Sequence, residues 1–283
     1  KNFIKNIVGL EIKEDENEET IEVTERNLLK PYIKKVILGE DLLREEAQEA
    51  MDCIMSGGAT DAQIASLLTA LSMKGETVEE ITGFAKVMRE KSNLVKHVDD
   101  VIDIVGTGGD MSATFNISTT SAFVVAGSGV KVAKHGNRSV SSRSGSADVL
   151  EKLGVKIDIS VEKAEQCLKD IGICFMFAPC FHKSMRYAAA PRREMGVRSV
   201  FNILGPLANP AYAEYILLGV YDKNLLEVMA KVLMNLGVKS AVVAHGSDGL
   251  DEVTVCGPTL ICELNENKLI KYEITPEQFG LSI

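Results

Sequence analysis

The sequence predicts an α/β fold in two parts: a small helical amino-terminal domain, then a larger domain with a mainly parallel sheet flanked by helices. Three patterns carry this expectation. Between residues 27 and 91 apolar side chains recur every three or four positions, the period of amphipathic helices. Beyond Asn93, short apolar runs bounded by glycine alternate with helical stretches, as strands and helices do in a parallel sheet. Two of those runs end in turns dense in glycine, serine and threonine.

In chain order, residues 10–25 (LEIKEDENEETIEVTE) are rich in acid and poor in bulky apolar residues, which suits a linker or exposed arm. The expected division is 1–25 linker or tail of a preceding domain, 26–93 helical domain and 94–283 α/β domain. Within the helical part, Thr60 with Gln63 and Thr77 with Glu80 form capping boxes, each ahead of an apolar-periodic run, and Gly75 between them is a natural stop. Strands are expected at 101–105, 130–133, 173–178, 215–220 and 241–244, and helices at 119–126, 147–153, 161–171 and 224–236. Near the end, 260–264 and 269–274 flank NENK as a hairpin.

A chain of 283 residues with 46% hydrophobic content can bury a full core. The net charge of −9 argues against a general nucleic-acid or anionic-membrane surface, so a polyanion would need cations gathered locally. Lys134, His135, Arg138 and Arg143 form one such group, and Arg186, Arg192, Arg193 and Arg198 another. Six cysteines lack CxxC or Cys/His metal spacing and read as free thiols of a reducing cytoplasm. No apolar run approaches the roughly 18 residues of a spanning helix. The start at Lys1 fits a trimmed end or the interior of a longer product.

The chemistry concentrates in three places. GTGGD at 106–110 follows a strand directly, where open α/β sheets bind ligands, and Thr114, Asn116, Ser118 and Thr119 lead into a helix whose first N–H groups suit an anion. It does not fit GxGxxG, and the acid expected about 20 residues later in a dinucleotide fold is missing. KHGNRSVSSRSGSAD at 134–148 mixes cations with hydroxyl donors ahead of another helix. Asp251 and Glu252, after HGSDGL, supply the adjacent carboxylates a magnesium–pyrophosphate site needs. The plain alternatives are a capped tight turn, a solvated polar loop and solvated turn acids.

These runs closely resemble the anthranilate phosphoribosyltransferases of tryptophan biosynthesis. The likeness rests on GTGGD, FNIST, KHGNRSVSSRSGSADVLEKLG, FMFAP, RREMGVRSVFNILGPLANP and HGSDGLDEV, in order, and extends over roughly residues 26–280. It implies an architecture shared with nucleoside phosphorylases, and transfer of a phosphoribosyl group to the amine of anthranilate. By resemblance, Gly106, Gly109, Asp110, Thr114, Asn116, Ile117, Ser118, Thr119, Lys134, His135, Gly136, Asn137, Ser142 and Ser146 would bind phosphoribosyl pyrophosphate. Asn137 and Arg192 would bind anthranilate, and Ser118, Asp251 and Glu252 would hold Mg2+. No residue is assigned as acid or base, because an aromatic amine is already neutral at pH 7. His182 is a candidate wall of the acceptor pocket, His97 reads as surface, and Asn202 as the buried polar group of FNILGPLANP.

The family is usually dimeric through its helical domain, which is the expectation here. KNFIKNIVG resembles the tail of the glutamine amidotransferase component of anthranilate synthase, implying fusion to or association with it. Two departures stand out at the acceptor side: Lys183, where many relatives have proline, and the direct Pro191–Arg192 junction. Family members also continue beyond the EQFGL segment, so the α/β domain is expected to lack its carboxyl-terminal part and to leave apolar sheet surface uncovered. The rival readings are a pyrimidine nucleoside phosphorylase-like enzyme and a catalytically silent nucleic-acid-binding relative.

Overall fold

The computed structural model describes residues 28–110, 114–139 and 144–282. The expected linker and amidotransferase-like tail lie outside the described residues, as do Ser142 and Arg143.

Four helices open the described chain: α1 (Lys30–Ile37), α2 (Arg44–Met55), α3 (Asp61–Lys74) and α4 (Val78–Glu90). Both capping boxes form. Thr60 Oγ1 accepts from Gln63 N at 3.3 Å while Gln63 Oε1 accepts from Thr60 N at 3.1 Å. At α4, Glu80 N donates to Thr77 Oγ1 and Thr77 N to Glu80 Oε2. Gly75, at φ 88°, turns the chain between them. Glu80 does more than cap, because it is fully buried, accepts from Leu42 N at 2.9 Å and meets Lys74 Nζ at 3.0 Å. It therefore ties the α1–α2 connection to α4. Helix α2 crosses α4 at Gly83, where a Cβ would stand 2.6 Å from the Arg44 carbonyl oxygen.

The larger part is a seven-stranded sheet ordered β3-β2-β1-β4-β5-β6-β7. Its strands are β1 (Ile102–Gly106), β2 (Val132–Gly136), β3 (Ile173–Phe177), β4 (Tyr215–Gly219), β5 (Ser240–Gly246), β6 (Thr259–Asn265) and β7 (Lys268–Ile274). The first five run parallel and β5-β6-β7 antiparallel, so the sheet is mainly parallel with a hairpin at one edge. Glu266 and Asn267 both take positive φ in the hairpin turn, which matches the right-handed twist of the flanking strands. Between strands lie α5 (Ile117–Gly127), α6 (Ser146–Lys152), α7 (Val161–Asp170), α8 (Ala178–Phe181), α9 (Arg186–Met195), α10 (Phe201–Leu204) and α11 (Leu225–Asn235). One core cluster runs from Leu67, Ile81 and Phe84 in the bundle to Ile216, Leu218 and Val243 in the sheet. The outer face of α5 exposes Phe123 and Val124. No described helix is long and apolar enough to cross a membrane.

The structure departs from the sequence expectations in instructive ways. Strand β2 runs on through Lys134, His135 and Gly136, whereas the apolar run alone ends it at 133. Lys134 and His135 are polar yet buried, so hydropathy places them in a loop that has not begun. Asn202 is only half-buried, and the enclosed polar group of FNILGPLANP is Asn209, with no exposed surface. Asn209 Nδ2 donates to Asp103 Oδ2 at 2.7 Å and to the Ala133 carbonyl at 2.8 Å. His97 is half-buried rather than free on the surface, its ring nitrogens 2.8 Å from the carbonyls of Asp99 and Ala211. Pro191 sits inside α9 without ending it, so the Pro191–Arg192 junction is helical.

These contacts set the stability of the bundle. Thr77→Ala should lower the unfolding free energy by about 1 kcal/mol through the lost cap. Glu80→Ala should cost about 2 kcal/mol or more, because it leaves the buried Leu42 N–H without its acceptor and removes the cap at Thr77, while Lys74 keeps Asp41 and the Gly75 carbonyl. Urea denaturation of the three proteins measures both, and equal midpoints would contradict the role given to Glu80.

Candidate active site

The chain order β1, β2, β3 on one side and β4, β5 on the other places a topological switch between β1 and β4. Ligands of open α/β sheets bind outside the carboxyl ends of strands at such a point. Here the two strand ends are glycines in register, Gly106 opposite Gly219. A Cβ on Gly219 would stand 1.6 Å from the Asp251 carbonyl oxygen, and one on Gly106 2.5 Å from Asp251 Oδ2. The segment carrying Asp251 and Glu252 thus lies directly across the switch, and only glycine leaves room for it.

The GTGGD turn is held from both sides. Thr107 N donates to the Gly219 carbonyl at 3.0 Å, and Gly108 N donates to Asp251 Oδ2 at 2.6 Å. Gly108 and Gly109 take φ of 68° and 78°, the left-handed region glycine tolerates. Arg198 donates to the Gly109 carbonyl and stacks on Tyr221, its guanidinium carbon 4.2 Å from the ring centre. Asp110 is hydrogen-bonded to Asp251. Beyond the turn Thr114 is exposed, Asn116 precedes α5, and Ile117, Ser118 and Thr119 form its first turn. Thr119 is nearly enclosed, and its hydroxyl has no hydrogen-bond partner among the described residues.

The second run approaches the first. Asn116 Nδ2 donates to the Ser144 carbonyl at 3.2 Å, joining the two turns. Gly136 ends β2, and a Cβ there would meet Ser146 Oγ at 2.5 Å. Ser146 opens α6 and donates to the Asn137 carbonyl. Lys134 is not a loop cation. Its ammonium is buried under the strand ends, donating to the Ile104 carbonyl and to Ser118 Oγ, with Asp103 and Glu252 as charged neighbours. Arg138 is bound to Asp148 and Glu151 and lies over the Phe177 ring, so its charge is committed within the fold.

Burial dominates the electrostatics. It pushes the Asp251 carboxyl up to about 6 and Glu252 up to about 7, with repulsion from Asp110 adding at both and from Asp251 at Glu252. Lys134 and the Ser118 N–H act the other way on Glu252. Among the described residues no three His, Cys, Asp or Glu side chains close around a metal ion by themselves. Two hard carboxylates beside the Ser118 hydroxyl do fit Mg2+, which takes few protein ligands and completes its shell with water and phosphate oxygens.

At the other end, His135 and His182 stack obliquely with ring centres 5.0 Å apart. His135 Nδ1 faces the Gly205 carbonyl at 3.2 Å, and the Nε2 atoms of both rings are buried without a hydrogen-bond partner among the described residues. Burial lowers their pKa values to about 3 and about 4, so both are neutral at pH 7. Arg192, half-buried on α9, stacks on Phe201 at 4.9 Å and has no carboxylate partner among the described residues. Asn137 is exposed, its Oδ1 accepting from Arg138 N, and no hydrogen bond joins it to Arg192. Sequence reasoning missed Asp103, Asn209, Gly219 and Tyr221, and named Arg198 only as one of a group of cations. Asp103 alone left a mark, as an acid inside the apolar run VIDIV.

Two family models match the chain: the helical bundle domain of a glycosyl transferase family over residues 30–92 and its a/b domain over 98–283. The anthranilate phosphoribosyltransferase of Endomicrobium trichonymphae is 58% identical over 254 residues, covering 90% of this chain and 76% of that protein. That of Pelotomaculum thermopropionicum is also 58% identical, over 89% and 74%. The chain belongs to the anthranilate phosphoribosyltransferase family. Among solved structures, the Thermus thermophilus enzyme matches with a TM-score of 0.83 and 45% identity, over 88% of this chain and 74% of that one. The Saccharomyces cerevisiae anthranilate phosphoribosyltransferase in complex with PRPP and Mg matches at 0.81 and 31%, over 89% and 74%.

The neutral histidines give a testable pH dependence. A histidine whose folded pKa lies below its unfolded value stabilises the fold fully above the unfolded pKa, and that contribution is lost as pH falls below it. For His182 the window runs from about 6.5 down to about 4. Between pH 7.5 and 5 the stability of the native chain relative to His182→Gln should therefore fall by about 2 kcal/mol. Urea melts of both proteins at the two pH values measure the difference, and a pH-independent gap would show that the His182 pKa is the same in the folded and unfolded chain.

Proposed function

We propose that the protein transfers the phosphoribosyl group of phosphoribosyl pyrophosphate to the amine of anthranilate, giving N-(5-phosphoribosyl)anthranilate and pyrophosphate, a step of tryptophan biosynthesis. The observation that carries it is the meeting of the GTGGD turn, the first turn of α5 and the Asp251–Glu252 segment at one switch point. In that reading Gly106, Gly109, Asp110, Thr114, Asn116, Ile117, Ser118 and Thr119 form one wall of the donor site, and His135, Gly136, Asn137, Ser142 and Ser146 the other. Lys134 supports both walls from below. The relatives at 52–58% identity favour anthranilate over a nucleoside as acceptor.

The reaction breaks the bond between C1 of the ribose and a pyrophosphate oxygen and forms one between C1 and the anthranilate nitrogen. The pyrophosphate leaves with the bonding pair, and the nitrogen gives up a proton. Cleavage at an anomeric carbon develops positive charge on the ring and negative charge on the leaving oxygen. Main-chain N–H donors of the turns and of the α5 start would serve that negative charge, those of Thr107, Gly108 and Ser118 being already held by Gly219, Asp251 and Glu252. Asp251, Glu252 and Ser118 would hold Mg2+, which stabilises charge on a leaving phosphate. Arg192 offers the anthranilate carboxylate a guanidinium fork without a competing acid, beside Asn137. The neutral His135 and His182 add no charge of their own, and the aromatic amine is an unprotonated nucleophile at pH 7 in its own right.

A cytoplasmic location suits this chemistry, and the net charge of −9 counts against a nucleic-acid partner. Association with an anthranilate synthase amidotransferase component rests on the KNFIKNIVG likeness. A homodimer through the helical domain is supported by the exposed Ile37, Leu38, Leu43 and Met73.

The loss of anthranilate fluorescence during turnover tests the function directly. Asp251→Ala/Glu252→Ala should abolish Mg2+-dependent consumption, and full activity would overturn the metal assignment. Gly219→Ala should lower kcat/KM for the donor on the order of a hundredfold by shifting Asp251 an ångström or more. Gly127→Ala, with nothing near its added Cβ, is the control.

A further inference from the structure

Arg198 lies between α9 and α10, exposed to solvent, yet three separate parts of the molecule meet at it. Its Nη2 donates to the Gly109 carbonyl. Its guanidinium rests on the Tyr221 ring just beyond β4, and the Tyr221 main-chain N–H donates to Thr107 Oγ1 at 3.1 Å. Its own carbonyl accepts from Ser72 Oγ of α3 at 3.3 Å. The same segment carries Arg192 six residues earlier.

We propose that Arg198 is a positioning residue for the donor: with Tyr221 beneath it, it clamps the Gly108–Gly109 turn in the shape that receives the pyrophosphate. The proposal rests on reading that turn as the donor site. Two consecutive glycines in left-handed conformations form the most mobile kind of backbone, and without a restraint they would sample many shapes. The restraint comes from opposite charges on opposite sides. The Asp251 carboxylate takes the Gly108 N–H, and the Arg198 guanidinium takes the Gly109 carbonyl. A peptide unit is planar, with its C=O and N–H pointing oppositely, so fixing the Gly109 carbonyl also fixes the direction of the Asp110 N–H. Arg198 suits this task better than lysine, because a planar guanidinium can stack on a ring and donate from its edge at once. The fit is close on the turn's side too, since a Cβ on Gly109 would stand 3.2 Å from Nη2. The link to Ser72 through its carbonyl and to the Arg192 segment along the chain makes one residue the joint between bundle, acceptor segment and donor turn.

The test combines kinetics with amide hydrogen exchange on the full chain. Arg198→Met should raise the KM for phosphoribosyl pyrophosphate about tenfold, the worth of one charge-assisted hydrogen bond, and leave kcat and the KM for anthranilate within about twofold. Tyr221→Leu should shift the donor KM in the same direction, Tyr221→Phe should match the native protein, and Arg198→Lys should rescue only part of the loss. In the substrate-free protein, amides of residues 106–110 should exchange faster in Arg198→Met at an unchanged melting temperature. Exchange is read whether or not the chain turns over anthranilate, so failure of the clamp and failure of the assigned function are separable. Unchanged exchange and donor KM would overturn the proposal, as would equal rises in both KM values with a lowered melting temperature. A defect in Arg198→Met that Tyr221→Leu does not share would also overturn it, because the guanidinium would then act without the stack.

Discussion

The proposed donor site depends on one steric condition: the main chain at Asp251 occupies the space that a side chain at Gly219 would fill. Because Gly106 pairs with Gly219 at the ends of β1 and β4, both strand ends are bare, and the Asp251–Glu252 segment can lie on them. This places two carboxylates, with Asp110 as a third, where the sheet offers an anion its best reception. Negative charge so gathered at low dielectric opposes the attraction of the backbone amides for a pyrophosphate. A donor that arrives with a divalent cation reverses that sign. The requirement for an escorted anion therefore follows from the backbone path, before any particular metal is named.

Below the site the charges alternate in layers. Asp103 is fully buried in β1, pushed up to about 6 by burial, and accepts from Asn209 Nδ2 and His135 N. Lys134 lies above it, lowered by burial and held up by Asp103 and Glu252. Glu252 comes next, at the base of the cleft. A buried charge with no opposite neighbour costs several kcal/mol, so each layer is tolerable only because of the next. Asn209, a neutral group from the FNILGPLANP segment, locks the lowest layer to the β2 backbone through the Ala133 carbonyl. A loop that reads as mere architecture thus fixes the floor on which the donor cation would rest.

Much of this was legible in the sequence where a rule is local. The capping boxes at Thr60 and Thr77, the five parallel strands and the hairpin at NENK were all readable because hydrogen-bonding partners lie within a few residues or because periodicity repeats. The site was legible only where glycines and hydroxyls cluster. Lys134 was assigned to a loop because a lysine after an apolar run normally ends a strand, and nothing local signals that Asp103 waits beneath it. Asn209 was passed over for Asn202, since the two differ in what lies across the sheet rather than in their neighbours. Gly219 is invisible for the same reason, and Arg198 reads as one of a group of cations with nothing to show which turn it holds. Their partners, Asp251 and Gly109, are 32 and 89 residues away in sequence.

The two ends of the cleft divide the chemistry by charge. The donor end gathers carboxylates, a buried ammonium and oriented amides, all suited to a leaving group that becomes more negative as its bond to C1 breaks. The proposed acceptor residue Arg192 is a guanidinium whose neighbour is a phenyl ring, while burial keeps the His135 and His182 imidazoles neutral. A strong base placed there would serve no purpose, because an aromatic amine carries its lone pair uncharged at pH 7 and sheds its proton readily once bonded to C1. A protonated imidazole would raise the energy of the developing positive ring. Neutral imidazoles therefore do not oppose the transition state that the donor residues would stabilise.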